Sequence, residues 1–221
     1  MKSKCYLVLP LVLWIVVGTH HVLAESWVWV DQVVDGDTLR LKDGRFVRYI
    51  GINAPEIDHV SHRADPFGQQ ALAINKQLAA GKRVRLEQGL EAKDQYGRVL
   101  AYVYDQQGRM LNLILIARGM AYFYPQAANG NAMDEVMLSA QRRAMTQRLG
   151  IWSALTAGQK AGPFIASRRS RRFHLRQCPF AAAIASKNQV RFNSLWDAYW
   201  SGYAPCDHCL ASPIKKELKH R

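Results

Sequence analysis

Hydrophobic and polar positions alternate in three short runs once the first 25 or so residues are passed. Val28 to Val34 is rich in β-branched and aromatic residues, Thr38-Leu39-Arg40-Leu41 alternates, and Arg45 to Ile50 returns as a third run. Asp35-Gly36 and Lys42-Asp43-Gly44 separate them, and Asp-Gly between alternating runs marks a hairpin turn. The pattern predicts three consecutive strands. From Gly68 to Gly81 the period changes to that of a helix, with Ala71, Leu72, Leu78 and Ala79 apolar and Gly81 as the stop. Two more strands are predicted over Arg83 to Glu87 and Val99 to Tyr104. A short helix over Leu111 to Arg118 and a longer one over Met133 to Leu149 end at Gly119 and Gly150. Three strands, a helix, two strands and two helices predict an α+β fold, an OB-like five-stranded β-barrel with packed helices.

The start of the chain follows a different pattern. Lys2 and Lys4 precede an uncharged apolar run, Cys5 to Gly18, and Val22-Leu23-Ala24 puts small residues where a signal peptidase cuts. That order predicts a signal peptide over 1–24 and a secreted or periplasmic protein. The run of 14 residues is shorter than a membrane span, which needs about 20. No stable membrane insertion is therefore expected after cleavage; an uncleaved N-terminal anchor is the alternative.

Charge divides the remainder unevenly. Residues 25–162 carry 17 Lys+Arg against 14 Asp+Glu, whereas residues 163–221 carry 11 against 3. Such a basic segment suits a polyanion, because each cation displaces counterions from phosphates. A solvated tail or an anionic cell surface would account for it equally well. Ser167 to Arg172 is polar and basic without apolar periodicity. A first domain over 25–157, a basic linker over 158–172, a second small domain over 173–212 and a basic tail over 213–221 are expected.

Cysteine spacing adds chemistry to that second unit. With Cys5 in the leader, Cys178, Cys206 and Cys209 remain, and three thiols cannot all pair. His174-x3-Cys178 followed by Cys206-x2-Cys209 has the spacing of four tetrahedral zinc ligands, and zinc can hold a domain too small for its own core. A Cys178–Cys206 or Cys178–Cys209 disulfide with a spare thiol is the alternative.

Further motifs lie in the first domain. Asp35-Gly36-Asp37-Thr38 sits at the first hairpin turn, and alone it says little, since Asp-Gly turns are common. Arg48 lies on the third strand, which runs into Asn53-Ala54-Pro55-Glu56, and Asp94-Gln95-Tyr96-Gly97-Arg98 leads into the fifth. Cleaving a phosphodiester needs an aligned water and charge stabilisation at phosphorus, part of which a hard divalent cation held by oxygens supplies. Asp37 and the 53–54 segment offer such oxygens.

The series V-D-G-D-T, V-R-Y-I-G-I-N-A-P-E, F-G-Q-Q-A, D-Q-Y-G-R-V-L-A-Y, A-R-G-M-A and G-I-W-S runs in order over residues 27–153. It resembles the staphylococcal nuclease (thermonuclease) family. The resemblance implies a calcium-dependent endonuclease that hydrolyses DNA and RNA with little sequence preference and leaves 3′-phosphate ends. It implies calcium at Asp37, Asn53 and the carbonyl of Ala54, with Asp35 close by, and Glu56 as general base. Arg48 and Arg98 would clamp the phosphate, whose oxygens a planar guanidinium fits bidentately. Tyr96, Tyr122 and Tyr124 would contact nucleotide. The family's second calcium carboxylate is Asn53 here, whose amide oxygen lacks the negative charge, so calcium affinity should fall or another divalent cation be preferred. A second reading therefore stands beside the first: a nuclease-like fold that binds nucleic acid without cutting it.

The segments F-H-L-R-Q-C-P-F, K-N-Q-V-R-F and A-Y-W-S-G-Y-A-P-C-D-H-C resemble the small metal-binding domain of Ada-type DNA-repair proteins. In that domain all four ligands are cysteines, one of them a methyl acceptor. His174 at the first position, together with export, points to structural zinc instead. A monomer whose first domain cleaves alone is expected, since Asp37, Arg48, Glu56 and Arg98 all precede residue 157.

Overall fold

A computed structural model describes residues 27–58, 63–126, 132–155 and 162–210 of the chain. The expected leader over 1–24 and tail over 213–221 lie outside the described residues. Within them, no helix is long and apolar enough to cross a membrane.

The first part runs β1 (Trp27–Val33), β2 (Thr38–Leu41), β3 (Phe46–Tyr49), β4 (Ile52–Asn53), β5 (Ile57–Asp58), β6 (Arg63–Ala64), α1 (Gly68–Ala79), β7 (Arg83–Lys93), β8 (Val99–Tyr104), α2 (Leu111–Ala117), β9 (Tyr122–Phe123) and α3 (Ala132–Thr146). Strands β1, β2, β3, β8 and β7 close into a barrel in that order, as the strand pattern predicts. Closure rests on β3 and β8 running parallel, with Val47 opposite Val99. The inward residues Val30, Leu39, Leu41, Val47, Ala101 and Val103 fill the interior, and closing the sheet leaves fewer unpaired strand edges. Strand β7 runs to Lys93, beyond the expected end at Glu87, with a register shift between Gln88 and Lys93. Five residues of β7 there pass two of β8, an irregularity that bends the strand and re-aims its end. Here it delivers Lys93 and the following Asp94 to the cleft described below.

Helix α3 stops at Thr146, three residues short of the expected Leu149, because Arg148 and Gly150 take left-handed φ of 54° and 51°. The turn after α2 meets this end directly. Ile151 N donates to Gly119 O at 2.9 Å. A Cβ on Gly150 would stand 2.1 Å from Gly119 O. Two glycines at left-handed φ, far apart in sequence, are what allow the backbones to touch there.

The remainder comprises β10 (Phe164–Ser167), β11 (Arg172–Leu175), α4 (Pro179–Ala182), β12 (Gln189–Phe192), α5 (Leu195–Trp200), β13 (Ala204–Pro205) and α6 (Asp207–Leu210). The expected linker over 158–172 is corrected by β10, which pairs with both β11 and β12 inside a four-stranded sheet. Phe164 and Ala166 alternate inward and are buried; the basic turn that follows masks so short a period.

This sheet does not stand apart from the barrel unit. Phe164, Phe173 and Tyr199 share one buried cluster with Tyr122, Met145, Ile151 and Trp152. The Tyr199 ring lies edge-on to Trp152, Tyr122 and Phe173 at centroid distances of 5.1, 5.2 and 5.4 Å. Gln141 on α3 joins the two sides: its Oε1 accepts from Phe123 N and its Nε2 donates to Tyr199 O, both at 2.7 Å. Arg171 pairs with the buried Asp134 at 3.2 Å.

Candidate active site

The β1–β2 turn carries Asp35 and Asp37, and its shape comes from its own hydrogen bonds. Asp35 Oδ1 accepts from Asp37 N at 2.9 Å, while the buried Asn75 of α1 donates from Nδ2 to Asp35 O at 3.0 Å. Gly36 has to be bare there, because a Cβ would sit 2.5 Å from the Cβ of Ala54 and 2.8 Å from that of Ala71. The turn is pressed against both the 53–54 segment and α1. Asp37 Oδ2 accepts from Ala54 N at 2.6 Å and pairs with Arg48 Nη1 at 3.2 Å.

Arg48, on β3, is held on all sides. Its Nη1 donates to the carbonyls of Tyr49 and Ile52 at 2.9 and 3.0 Å, and its Nη2 donates to Asn53 Oδ1 at 2.6 Å. A guanidinium only donates, so the Asn53 oxygen must face it. The Asn53 amide nitrogen then donates to Tyr122 OH at 2.8 Å. Pairing of β4 with β9 sets Asn53 directly opposite Tyr122.

Arg98 is placed by a second turn. Asp94 Oδ1 accepts from the backbone N–H groups of Tyr96 and Arg98, and its Oδ2 accepts from Arg98 Nε at 2.7 Å. Tyr96 is 76% exposed, with the Arg98 guanidinium 5.5 Å from its ring centre.

Asp35, Asp37, Arg48, Asn53, Glu56, Tyr96, Arg98 and Tyr124 line one cleft of about 490 Å³. Five separate segments of chain thus converge. Tyr122 lies apart: it is buried, and it reaches the cleft only by holding Asn53. Sequence reasoning missed Lys93 and Asp207, both of which line the cleft. Lys93 adjoins the D-Q-Y-G-R motif and was within reach. Asp207 stands between Cys206 and Cys209 and carries no signal of its own.

Electrostatics point to a cation. Burial pushes the Asp37 carboxyl up to about 7, Arg48 opposes this, and Asp35 adds to it. Glu56 is also raised above the ordinary carboxylate range, first by desolvation within the cleft walls and then by Asp35, against Arg48 and Arg98. It nonetheless keeps surface open to water. Three carboxyl groups crowd one side of the cleft, and a divalent cation among them would favour their charged forms. Asp37 and the Ala54 carbonyl fit such an ion as hard oxygen donors. Asn53 must share its single amide oxygen with Arg48.

In the C-terminal part, the ligand atoms of His174, Cys178, Cys206 and Cys209 all lie within 4.8 Å of one another. No disulfide joins Cys178, Cys206 and Cys209. His174 Nδ1 is 3.6 Å from Cys178 Sγ. Tetrahedral sulfurs about 2.3 Å from zinc stand about 3.8 Å apart, so the cluster is near the size that ion requires. Proton affinities differ within the cluster: those of Cys178 and His174 suit a metal, whereas Cys209 holds its proton until a cation displaces it. Burial would raise the Cys178 thiol, but hydrogen bonds from Cys209 and from the Phe180 and Ala181 amides bring it below its usual range. Cys209 is pushed up to about 12, by burial first. Desolvation lowers His174, favouring the neutral imidazole that a metal takes.

Comparison with known proteins agrees with this geometry. A family profile described as "Staphylococcal nuclease homologue" matches residues 46–154. The chain is 38% identical over 140 residues to "Thermonuclease" of Staphylococcus intermedius, an alignment covering 61% of this chain and 80% of that protein. It is 33% identical over 135 residues to "Thermonuclease" of Staphylococcus hyicus, covering 58% and 77%. "Endonuclease YncB" of Bacillus subtilis (strain 168) is 33% identical over 132 residues, covering 57% and 61%. Motifs, barrel, cleft and relatives converge, and the chain belongs to the staphylococcal nuclease family.

Proposed function

We propose that this nuclease is exported and uses a divalent cation, calcium by preference, to hydrolyse DNA and RNA internally, leaving 3′-phosphate ends. The observation that carries the reading is the convergence of Asp37, Arg48, Glu56 and Arg98, from separate elements, on one cleft. Arg48 and Arg98 bind the phosphate oxygens, each already oriented by a carboxylate or carbonyl partner. Glu56 takes the proton of the attacking water, and its raised proton affinity makes it a better base than a surface carboxylate. Asp37, the Ala54 carbonyl and Asn53 hold the cation, with Asp35 beside them. When bound, the cation supplies charge stabilisation at the phosphoryl oxygens. Tyr96 and Tyr124 face the nucleotide. Zinc, held by His174, Cys178, Cys206 and Cys209, stabilises the C-terminal sheet and takes no part in the chemistry. The protein acts as a monomer.

The test is incubation of the mature chain with plasmid and RNA in calcium, magnesium or chelator, with end-group analysis of the products. Cleavage that depends on calcium and leaves 3′-phosphates is expected. Binding without cleavage under every condition would favour the second reading, a nucleic-acid-binding module on a nuclease-like fold.

A further inference from the structure

A second hollow opens on the C-terminal sheet, about 400 Å³ in volume and lined by Ser167, Ser170, Arg172, Phe180, Asp207 and His208. Three features distinguish it from an ordinary surface dimple. First, it adjoins the nuclease cleft, since Asp207 lines both. A narrow ridge divides them: Tyr124 OH donates to Asp207 Oδ2 at 2.8 Å, and the Arg172 guanidinium lies over the Tyr124 ring at 3.7 Å, its Nη2 donating to Pro125 O at 2.9 Å. Second, it offers an aromatic face. Phe180 is 56% exposed although hydrophobic, and its ring stands edge-on to His208 at 5.3 Å. Third, it is flanked by cations, because Arg168 and Arg169 are exposed on the turn between Ser167 and Ser170.

We propose that this hollow is a subsite for one unpaired nucleotide of the strand being cut, its base stacked on Phe180 and its backbone phosphate facing the Arg168–Arg172 turn. The volume suits a ligand of that size. Stacking on an aromatic face accepts any base, and cations beside it follow the backbone, which is how single strands are held without sequence readout. A base inside a duplex has no free face for Phe180, so the subsite favours single strands over duplex. The hollow also borders the thiol cluster, since His174 and Cys206 form part of its wall. The cysteine-rich unit thus lengthens the substrate path as well as extending the core.

This inference rests on the nuclease reading, and the experiment separates the two. The full mature chain carrying Glu56→Gln, with zinc retained and calcium present, is titrated with a fluorescent single-stranded octanucleotide and with a duplex of the same sequence. Phe180→Ala added to it is expected to weaken single-strand binding roughly tenfold and leave duplex binding unchanged. Phe180→Trp should keep or improve single-strand affinity, which a merely structural role for Phe180 would not predict. Cleavage of the octanucleotide by the unsubstituted chain is read in parallel. If that cleavage occurs and Phe180→Ala binds single strands as well as its parent, or loses both substrates equally, the subsite is wrong and the nuclease reading stands. If the chain neither cleaves nor binds, both are wrong.

Discussion

Glu56 and Arg98 contribute little to packing. Glu56 keeps surface open to water, and Arg98 is tied only to its own turn through Asp94. On the proposed mechanism Glu56→Gln removes the base and Arg98→Ala a phosphate ligand, so each should lower kcat about 10²- to 10⁴-fold. The melting temperature should move by no more than a degree or two; a Glu56→Gln protein with full activity would sink the mechanism. Asn53 is a different case. Asn53→Asp puts a charged oxygen beside Asp37 and the Ala54 carbonyl, and Tyr122 OH, which now accepts from the amide, can turn and donate to the carboxylate. Calcium affinity should therefore rise with the local network intact. Calorimetry on the two proteins decides it, and unchanged or weaker affinity would place Asn53 outside the coordination shell.

At the scale of elements, the site depends on contacts between turns more than on any one strand. The D-G-D-T turn presses on Ala54 and Ala71 through Gly36, and the A-R-G-M-A and G-I-W-S motifs meet where Gly119 touches Gly150. Gly150→Ala would combine a left-handed φ of 51° with a Cβ 2.1 Å from a carbonyl oxygen. The backbones would have to separate, at an expected cost of about 2–4 kcal/mol. A shift in denaturant midpoint at constant slope checks this. Activity per folded molecule should persist, since Gly150 is not among the residues that line the cleft.

For the whole molecule, the shared cluster around Tyr199 alters the expectation that the first domain suffices. A chain ending after Leu155 would lose Phe164, Phe173 and Tyr199 from the cover of Tyr122, Met145 and Trp152. Each large apolar side chain returned to water forfeits up to about 1.5–3 kcal/mol, and the total rivals the stability of a small domain. The truncated form should melt well below the whole chain or aggregate, and equal thermal stability would refute the shared core. Metal analysis of the intact protein should find about one zinc, and its removal should lower thermal stability, because four ligands close the ends of β11, α4 and β13 on one point. Less than about half an equivalent, with a disulfide found by mass spectrometry, would make the cysteines a covalent staple instead.

Much of this was legible in the order of the residues. Period-two alternation broken by Asp-Gly turns marks the barrel strands, because a pleated strand buries alternate side chains whatever its partner. Ligand spacing in His174-x3-Cys178 and Cys206-x2-Cys209 is equally local, since short loops limit where a side chain can reach. The motifs that carry Asp37, Arg48, Glu56 and Arg98 are continuous stretches, each readable by itself. What adjoined them was not. Asp207 stands 83 residues from Tyr124, and Tyr199 lies 58 from Gln141. No local period or propensity records a contact between such distant residues. The expected linker differs for the same reason: Phe164 and Ala166 are inward only because a sheet and a shared core lie beneath them. Sequence determined the candidate residues and the separate elements. Only tertiary structure decided that the C-terminal part brings Asp207 into the cleft, because packing between distant segments depends on the shape of the folded whole.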